Sequence, residues 1–239
     1  MLKNKVILII GGTAGFGKHV AMLAAQKGAN LIIVGRHKEK LDSVKAELQQ
    51  YGNQVEGHTL DVSKEEDLKK FFDSIGKIDH LVSTAGGFMG GGFLDAALET
   101  ILKTIHDKLF INLRIARLAA SHLKANGSMV FTAGSGGKPN NASGAIIGND
   151  AIRTMVQGLA VELAPRARIN AVAPTWTRTS LYRDIPEEEV DQTQKLFSGM
   201  IPLGRTANIS EVAMTYIFLM ENSFITGQTI VVDGGLTLV

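Results

Sequence analysis

The sequence lacks several features that would place it in a specialised class of protein. It has no cysteine, which excludes a disulfide framework and a thiolate metal site and fits a reducing compartment. Its 6 histidines show no metal-ligand spacing. It has no excess of one charge sign, because 25 lysine and arginine residues nearly balance 23 aspartate and glutamate residues. The clustered basic face that nucleic-acid binding needs is not indicated, and we predict neither a metal nor a nucleic-acid partner.

Long hydrophobic runs are also missing. The N-terminal stretch MLKNKVILII is short and is followed at once by glycines, which argues against a signal peptide or a membrane span. We expect a soluble cytoplasmic protein without a membrane partner. The 239 residues, 45% of them hydrophobic, contain no repeat, linker or low-complexity tract and suit one domain covering residues 1–239.

The chain does contain a regular alternation of short β-rich runs with longer segments of helical period. Seven strands separated by helices predict an α/β fold with a parallel sheet covered on both faces. The predicted strands are VILII (6–10), LIIVG (31–35), VEGHTL (55–60), HLVSTA (80–85), MVFTA (129–133), RINAVA (168–173) and TIVVD (229–233).

Two helix signals support this pattern. Ser63 followed by Glu66 predicts a capping box at a helix N-terminus. Residues 151–163 carry one apolar stripe at helical spacing. The least patterned segment, residues 175–208, is interpreted as a mobile lid over a site at the carboxyl ends of the strands.

A glycine-rich stretch, GGTAGFG (11–17), follows the first predicted strand and opens a helix. Gly11, Gly15 and Gly17 stand where a tight turn and a close approach of the backbone to a ligand are needed, and the N-terminus of the following helix would hold a diphosphate. The alternative is an ordinary glycine-rich turn. Because the glycine-rich stretch lies in the first strand-to-helix unit, nucleotide binding is favoured.

The spacing GxxxGxG begins a resemblance to the short-chain dehydrogenase/reductase family that runs nearly the whole length. LDVS (60–63) resembles the family's adenine-contacting element, STAG (83–86) stands for its Asn-Asn-Ala-Gly run, and ITGQTIVVDGG (225–235) is similar to its closing strand. The family usually has a threonine directly before the first glycine of this motif, and this chain has Ile10 there. The resemblance implies a single-domain Rossmann fold with a doubly wound seven-stranded parallel sheet. The residues that it implies for cofactor binding are Gly11, Thr13, Gly15, Phe16, Gly17, Arg36, Asp61, Val62, Ala85, Gly86, Pro174, Thr177 and Thr179.

The end of the second strand bears on the choice of cofactor. An acid there would accept hydrogen bonds from the ribose of NAD, but this strand ends in Gly35, which Arg36 follows. A guanidinium can bind the 2′-phosphate of NADP(H) with two hydrogen bonds. We therefore predict NADP(H) rather than NAD(H). The alternative is that Arg36 is a solvated charge before a helix.

The family's proton-transfer residues are a tyrosine and, one helical turn later, a lysine. Counting back from LAVELAP (159–165), which resembles the end of the family's active-site helix, places Ala145 and Asn149 at these two positions. The sequence therefore predicts a divergent member without this pair. No other register helps, because no tyrosine lies between Tyr51 and Tyr182.

Two other residues are candidates for catalysis. FTAGSGG (131–137) ends the fifth strand, and a longer turn or a bulge would place Ser135 where the family's serine orients the carbonyl, whereas strict counting selects Gly134. Ser135 could also simply cap a loop. Lys108 stands at the position of the family's asparagine, where a partly desolvated amine could act as an acid or base. Its alternative is a surface lysine on an amphipathic helix.

The loop after the sixth strand departs from the family as well, because Pro-Gly becomes Pro174-Thr175. Thr177 and Thr179 keep the spacing that usually holds the nicotinamide carboxamide and phosphate. Trp176 and Tyr182 could cover the ring, although packing of the lid explains Trp176 as well. The glycine-rich segment 86–95 would border the substrate.

These observations favour a divergent NADP(H)-dependent oxidoreductase for a small carbonyl or alcohol. Ser135 would orient the substrate oxygen, and Lys108, Tyr182 or water would handle the proton. The alternative is a non-catalytic NADP(H)-binding or sensing protein. A third possibility is that the protein binds a different nucleotide ligand, such as a methyl donor. The resemblance further implies a homo-tetramer or homo-dimer formed through the helices at about 95–124 and 145–164 and the terminal strand.

Overall fold

The computed structural model describes residues 1–239 and contains one seven-stranded sheet. All strands are parallel, in the order β3-β2-β1-β4-β5-β6-β7. The strands are β1 Val6–Ile10, β2 Asn30–Gly35, β3 Val55–Thr59, β4 Ile78–Ser83, β5 Leu123–Thr132, β6 Ala167–Pro174 and β7 Thr229–Val232.

Helices cover both faces of the sheet. The helices are α1 Gly15–Gln26, α2 Lys38–Gln49, α3 Glu65–Ser74, α4 Leu98–Ile105, α5 Ile111–His122, α6 Ser143–Leu163, α7 Glu187–Met200 and α8 Ile209–Glu221. A π-helical turn at His106–Phe110 joins α4 to α5. Two short 3-10 turns span Ser180–Tyr182 and Leu236–Leu238. None of the helices is both long and apolar enough to span a membrane.

Burial on both faces explains the continuous apolar strands. Successive side chains of β1 alternate between two large hydrophobic clusters, with Leu8 and Ile10 in one and Ile7 and Ile9 in the other. The first cluster holds 25 buried residues and the second holds 23. This division into two cores of nearly equal size confirms the predicted doubly wound fold.

All seven predicted strands are present, with their ends shifted by a few residues. The apolar stripe on α6 is also confirmed, since Ile152, Val156 and Ala160 are buried against β5 and β6. The segment 175–208, predicted as an unpatterned lid, contains helix α7.

The predicted capping box at Ser63 is wrong. Helix α3 begins at Glu65, one residue later than a box from Ser63 requires, and its N-cap Lys64 makes no side-chain cap. The Ser63 hydroxyl instead donates to the Asp61 carboxylate over 2.7 Å. A capping box does occur at α8, where Asn208 and Glu211 each accept from the other's backbone N–H.

The strand order places a crevice at the carboxyl end of the sheet. Chain order runs outward from β1 to β3 on one side and then from β4 to β7 on the other, so the connections diverge between β1 and β4. In open α/β sheets, ligands bind at this switch point. The loops after β1, β4, β5 and β6 all reach it.

Candidate active site

The turn after β1 is shaped for close approach to a ligand. Gly11 has a φ of +82°, which a side chain would strain. A Cβ on Gly17 would lie only 2.3 Å from the Gly11 carbonyl oxygen, so only glycine lets α1 begin this close to the turn. Thr84, which follows β4, donates to the Ile10 carbonyl over 3.1 Å and ties the turn to the neighbouring strand.

The loop after β6 faces this turn. The Thr179 Cβ lies 3.7 Å from the position that a Cβ on Gly15 would take, so Thr179 lies beside the N-terminus of α1. The Thr179 hydroxyl accepts from the backbone of Leu181, and the buried Thr177 hydroxyl donates to the Thr175 carbonyl over 3.0 Å. The glycine turn, the N-terminus of α1 and the threonine loop form a cradle, and the backbone N–H groups of a helix N-terminus are donors that suit a diphosphate.

The end of β2 lies at the outer end of the crevice. A Cβ on Gly35 would lie 2.3 Å from the Thr13 Cγ2, so Thr13 fills the space that a side chain at the end of β2 would need. Arg36 is exposed and has no ion pair or hydrogen bond with the protein. Hydrogen bonds from Ser63 hold the pKa of Asp61 below its usual value, so this carboxylate stays ionised beside Arg36.

A buried asparagine organises the end of β4. The Asn112 Oδ1 accepts from the Ser83 hydroxyl over 2.6 Å, and its Nδ2 donates to the carbonyl oxygens of Ala85 and Lys108 over 3.1 and 2.6 Å. These bonds join the strand end to the π-helical turn. Gly86 follows with a φ of +135°. Val62 and Ala85, both predicted cofactor contacts, pack at the edge of the first hydrophobic cluster.

Lys108 lies in the π-helical turn, a distortion that is frequent at functional sites. It is buried, with 8% of its surface exposed, so the surface-lysine alternative is wrong. A Cβ on Gly148 of α6 would lie 2.7 Å from the lysine Cδ, and one on Gly86 would lie 3.9 Å from its Nζ. The side chain therefore passes between two glycines. Burial lowers the pKa of Lys108 to about 8.

Ser135 and Asn149 both lie next to Gly134. The Asn149 Nδ2 lies 2.9 Å from the position of a Cβ on Gly134, and Ser135 is the next residue along the loop. The Ser135 Oγ, the Asn149 Oδ1 and the Thr175 Oγ1 are all enclosed and have no hydrogen-bond partner in the protein. Buried polar atoms are rarely left unpaired, so three of them at one edge of the sheet indicate a ligand site.

Ala145 faces a small apolar cluster. It is buried with Met89, Ile101 and Ala142. The loop after β4 is fixed onto the start of α6 by a β-bridge between Gly91 and Ala142. Helix α6 carries neither a tyrosine nor a lysine. The assignment of positions 145 and 149 to the family's tyrosine and lysine stays a prediction.

Aromatic stacking holds the segment after β6. The Trp176 ring stacks on Tyr182 and on Phe197 of α7, with centroid distances of 5.2 and 5.8 Å. Trp176 is buried, so its ring packs against α7 and the segment after β6. Burial raises the pKa of Tyr182 to about 12, which makes its phenol a weaker acid than the Lys108 ammonium.

The structure thus brings the predicted residues into two adjoining regions. The glycine turn, Arg36, Asp61 and the threonine loop form the cradle, while Lys108 and Ser135 border α6 beyond it. Sequence reasoning missed the parts played by Asn112 and Asn149. The signal for Asn112 was available, since it interrupts the apolar stripe of α5. No three His, Asp or Glu side chains come together in a geometry that could hold a metal.

Known proteins are similar to this chain over nearly its whole length. Carbonyl reductase family member 4 of Danio rerio is 32% identical over 243 residues, which cover 98% of this chain and 99% of that protein. A short-chain type dehydrogenase/reductase from Mycobacterium marinum superposes with a TM-score of 0.90 at 29% identity, covering 100% of this chain and 97% of that one. A variant of actinorhodin polyketide ketoreductase with NADPH gives a TM-score of 0.86 at 25% identity, covering 98% and 97%.

A family model described as enoyl-(acyl carrier protein) reductase matches residues 11–237, which is nearly the whole chain. The glycine turn, the closing strand and the full-length similarity agree with one another. The chain belongs to the short-chain dehydrogenase/reductase family.

Proposed function

We propose that the protein is an NADP(H)-dependent oxidoreductase that reduces a small carbonyl compound or oxidises the corresponding alcohol. The observation that carries this proposal is the group of unpaired buried polar atoms, Ser135 Oγ, Asn149 Oδ1 and Thr175 Oγ1, beside the unpartnered Lys108. They border a cradle that has the shape and donors for a dinucleotide. A protein that only bound the nucleotide would not need a buried amine beyond the cradle.

The roles of the residues follow from their chemistry. When bound, NADPH supplies a hydride. The Ser135 hydroxyl donates a hydrogen bond to the substrate oxygen, and the Lys108 ammonium gives that oxygen its proton as negative charge develops. The unpaired Asn149 Oδ1 accepts from a ribose hydroxyl. The low pKa of Lys108 suits this step, because an acid near the working pH transfers protons efficiently.

Three observations favour NADP(H) over NAD(H). Arg36 is exposed and unpaired at the end of β2. Thr13 fills the space at Gly35 where an acid would otherwise stand. The actinorhodin polyketide ketoreductase named above was solved with NADPH. Arg36→Asp should weaken NADPH binding by about tenfold or more and leave NADH binding nearly unchanged. Equal affinities of the wild type for the two cofactors in a fluorescence titration would contradict the preference.

Stopped-flow oxidation of NADPH with a panel of small aldehydes, ketones and diketones tests the activity itself. We expect turnover with at least one carbonyl class and a lower kcat in Lys108→Ala at unchanged NADPH affinity. If the protein binds NADPH tightly but no member of the panel oxidises it, the proposal of an enzyme is contradicted and a sensing protein is favoured.

The proposal extends to a cytoplasmic homo-oligomer with a small-molecule substrate. Exposed apolar side chains on the helices and strand that the family resemblance singles out support the assembly, among them Leu98 and Leu102 of α4, Val161 of α6 and Val231 of β7. The absence of cysteine fits a reducing compartment.

A further inference from the structure

Lys108 is the one buried charged side chain that has no partner. Four Asp, His or Lys residues are buried in this protein. Asp79 accepts from Lys5 and Lys124, His80 bonds with the Ser128 hydroxyl, and Asp233 accepts from Thr237. The Lys108 ammonium has neither a hydrogen bond nor an ion pair within 4 Å, and no carboxylate influences its pKa.

Two glycines leave space for the side chain of this lysine. Its stem is enclosed between Gly86 and Gly148, positions where a Cβ would approach its atoms to 3.3 and 2.7 Å. Its Nζ, by contrast, is not among the fully enclosed unpaired atoms, so the tip keeps some accessible surface beside Gly86. A lysine built this way presents a cation to a ligand while its stem is held by packing.

An ammonium in a buried position without a counter-ion is costly, and an anionic ligand offsets that cost. In the proposed function the dinucleotide's phosphates are bound by the glycine turn at Gly11–Gly17 and by Arg36, whereas Lys108 packs against Gly86 and Gly148. The Lys108 ammonium, between the loop after β4 and helix α6, is therefore available to the substrate rather than to the cofactor phosphates.

We propose that the Lys108 ammonium binds a substrate carboxylate and that the substrate is a 2-oxo acid or the matching 2-hydroxy acid. This inference rests on the proposed function. In a 2-oxo acid the carboxylate and the keto oxygen are adjacent, so one ammonium with three N–H groups can contact both. The keto carbon gains a hydride and its oxygen gains the proton that Lys108 releases, which gives the 2-hydroxy acid. Lys108 then takes up a proton from water at its open tip.

Matched substrates test the proposal. Initial rates of NADPH oxidation are measured at pH 7 with 2-oxobutanoate and with its methyl ester, which differ in charge but share the keto group. We expect the acid to exceed the ester in kcat/KM by about tenfold or more, a typical loss when a charged partner is removed. Lys108→Met should reduce this ratio to one or below. Lys103→Met, which removes an exposed lysine of α4, should leave it unchanged.

A wild type that prefers the ester, or a Lys108→Met protein that keeps the preference for the acid, would overturn the proposal. Unchanged NADPH affinity and circular dichroism show that the variant is folded. If neither substrate is reduced, the substrate class proposed here fails, while the panel of aldehydes, ketones and diketones still decides the proposed function. The carboxylate site is then tested by calorimetric titration of oxamate into the NADP⁺-saturated protein. Binding that weakens at least tenfold in Lys108→Met supports the site, and no binding to the wild type rejects it.

Discussion

At the scale of single residues, Gly148 controls the position of Lys108. A Cβ at residue 148 would lie 2.7 Å from the Lys108 Cδ and 2.8 Å from its Cβ, and the latter atom is fixed by the backbone. Lys108 would have to move. We expect Gly148→Ala to destabilise the protein by about 1–3 kcal/mol through overpacking and to lower kcat more than it weakens NADPH binding. Urea unfolding and stopped-flow kinetics measure the two effects.

Gly158 supplies a matched control on the same helix, because a Cβ there would meet nothing within 4 Å. Gly158→Ala should stabilise α6 by about 0.5–1 kcal/mol and leave kcat unchanged. Parallel effects of the two substitutions on kcat would show that helix stiffness, rather than the place of Lys108, sets the rate.

Protonation of Lys108 also has a cost in stability. Burial lowers its pKa from 10.5 to about 8, so the native state binds fewer protons than the unfolded state between these two values. Stability contributed by this group therefore rises as the pH increases from about 8 to 10.5, and the full penalty applies below pH 8. Lys108→Met should be the more stable protein at pH 7, by up to about 3 kcal/mol, since one pKa unit corresponds to about 1.4 kcal/mol.

The measurement is the free energy of unfolding of both proteins between pH 7 and pH 10.5, without ligand. All other titrating groups are common to the two proteins and cancel in the difference. The advantage of Lys108→Met should shrink across this range. A constant difference would mean that the lysine keeps an ordinary pKa in the folded protein.

The candidate site was only partly predictable from the sequence at this scale. Lys108 and Ser135 were identified through their places in motifs. Asn149 was noted only as a replacement, because its place beside Gly134, 15 positions away in the chain, is set by the fold. Ser63 was assigned to the wrong partner, since Asp61 two residues earlier accepts its hydroxyl before a helix end can.

At the scale of elements, the strands were the easiest features to predict. Each central strand is buried on both faces, which produces an apolar run such as VILII that has few other interpretations. Helix α7 was not predicted, because only Val190 of its residues is buried and its apolar stripe is correspondingly weak. The π-helical turn at His106–Phe110 leaves no mark in a periodicity of 3.6 residues.

Arg178 joins α7 to the loop after β6. Its guanidinium donates to Asp191 over 2.6 Å, to Gln194 over 3.1 Å and to Glu187. Exposed ion pairs contribute little to global stability, so Arg178→Ala should cost less than about 1 kcal/mol. It should nevertheless loosen α7, because three contacts with one helix are lost together. We expect faster amide hydrogen exchange in residues 187–200.

The single tryptophan provides a second readout of this helix. Trp176 stacks on Phe197 of α7, so its emission should shift to longer wavelength when α7 moves away. Arg183→Ala is the matched control, since Arg183 pairs only with its neighbour Asp184 and with the Ser180 carbonyl. Equal protection of α7 from amide hydrogen exchange in both variants would show that aromatic stacking alone holds the helix.

At the scale of the whole molecule, the site is assembled from loops that are distant in sequence. The turns after β1, β4, β5 and β6 meet because the carboxyl ends of parallel strands share one edge of the sheet. This convergence was predictable from the order of strands and helices. The space between the loops was not, because the gap that Lys108 enters depends on two glycines from separate elements, Gly86 and Gly148.

Exposed apolar side chains lie on the helices and the strand that the family resemblance assigns to assembly. Leu98 and Leu102 of α4 lie one turn apart and are 61% and 57% exposed. Val161 of α6 is 79% exposed and Val231 of β7 is 44% exposed. Exposed apolar side chains that recur on neighbouring elements mark interaction surfaces, and identical subunits most often close such surfaces by two-fold symmetry.

We therefore expect light scattering to give about four times the chain mass of 25.6 kDa. Leu98→Glu combined with Leu102→Glu should lower the assembly mass, because two charges would be buried at the contact without partners. Leu196→Glu makes the same change at a 62% exposed position of α7, outside the proposed contact, and should leave the mass unaltered. A wild-type protein that stays monomeric from micromolar to near-millimolar concentration would contradict the proposed assembly. The candidate site and its proposed chemistry would still stand, because every residue of the site comes from one chain.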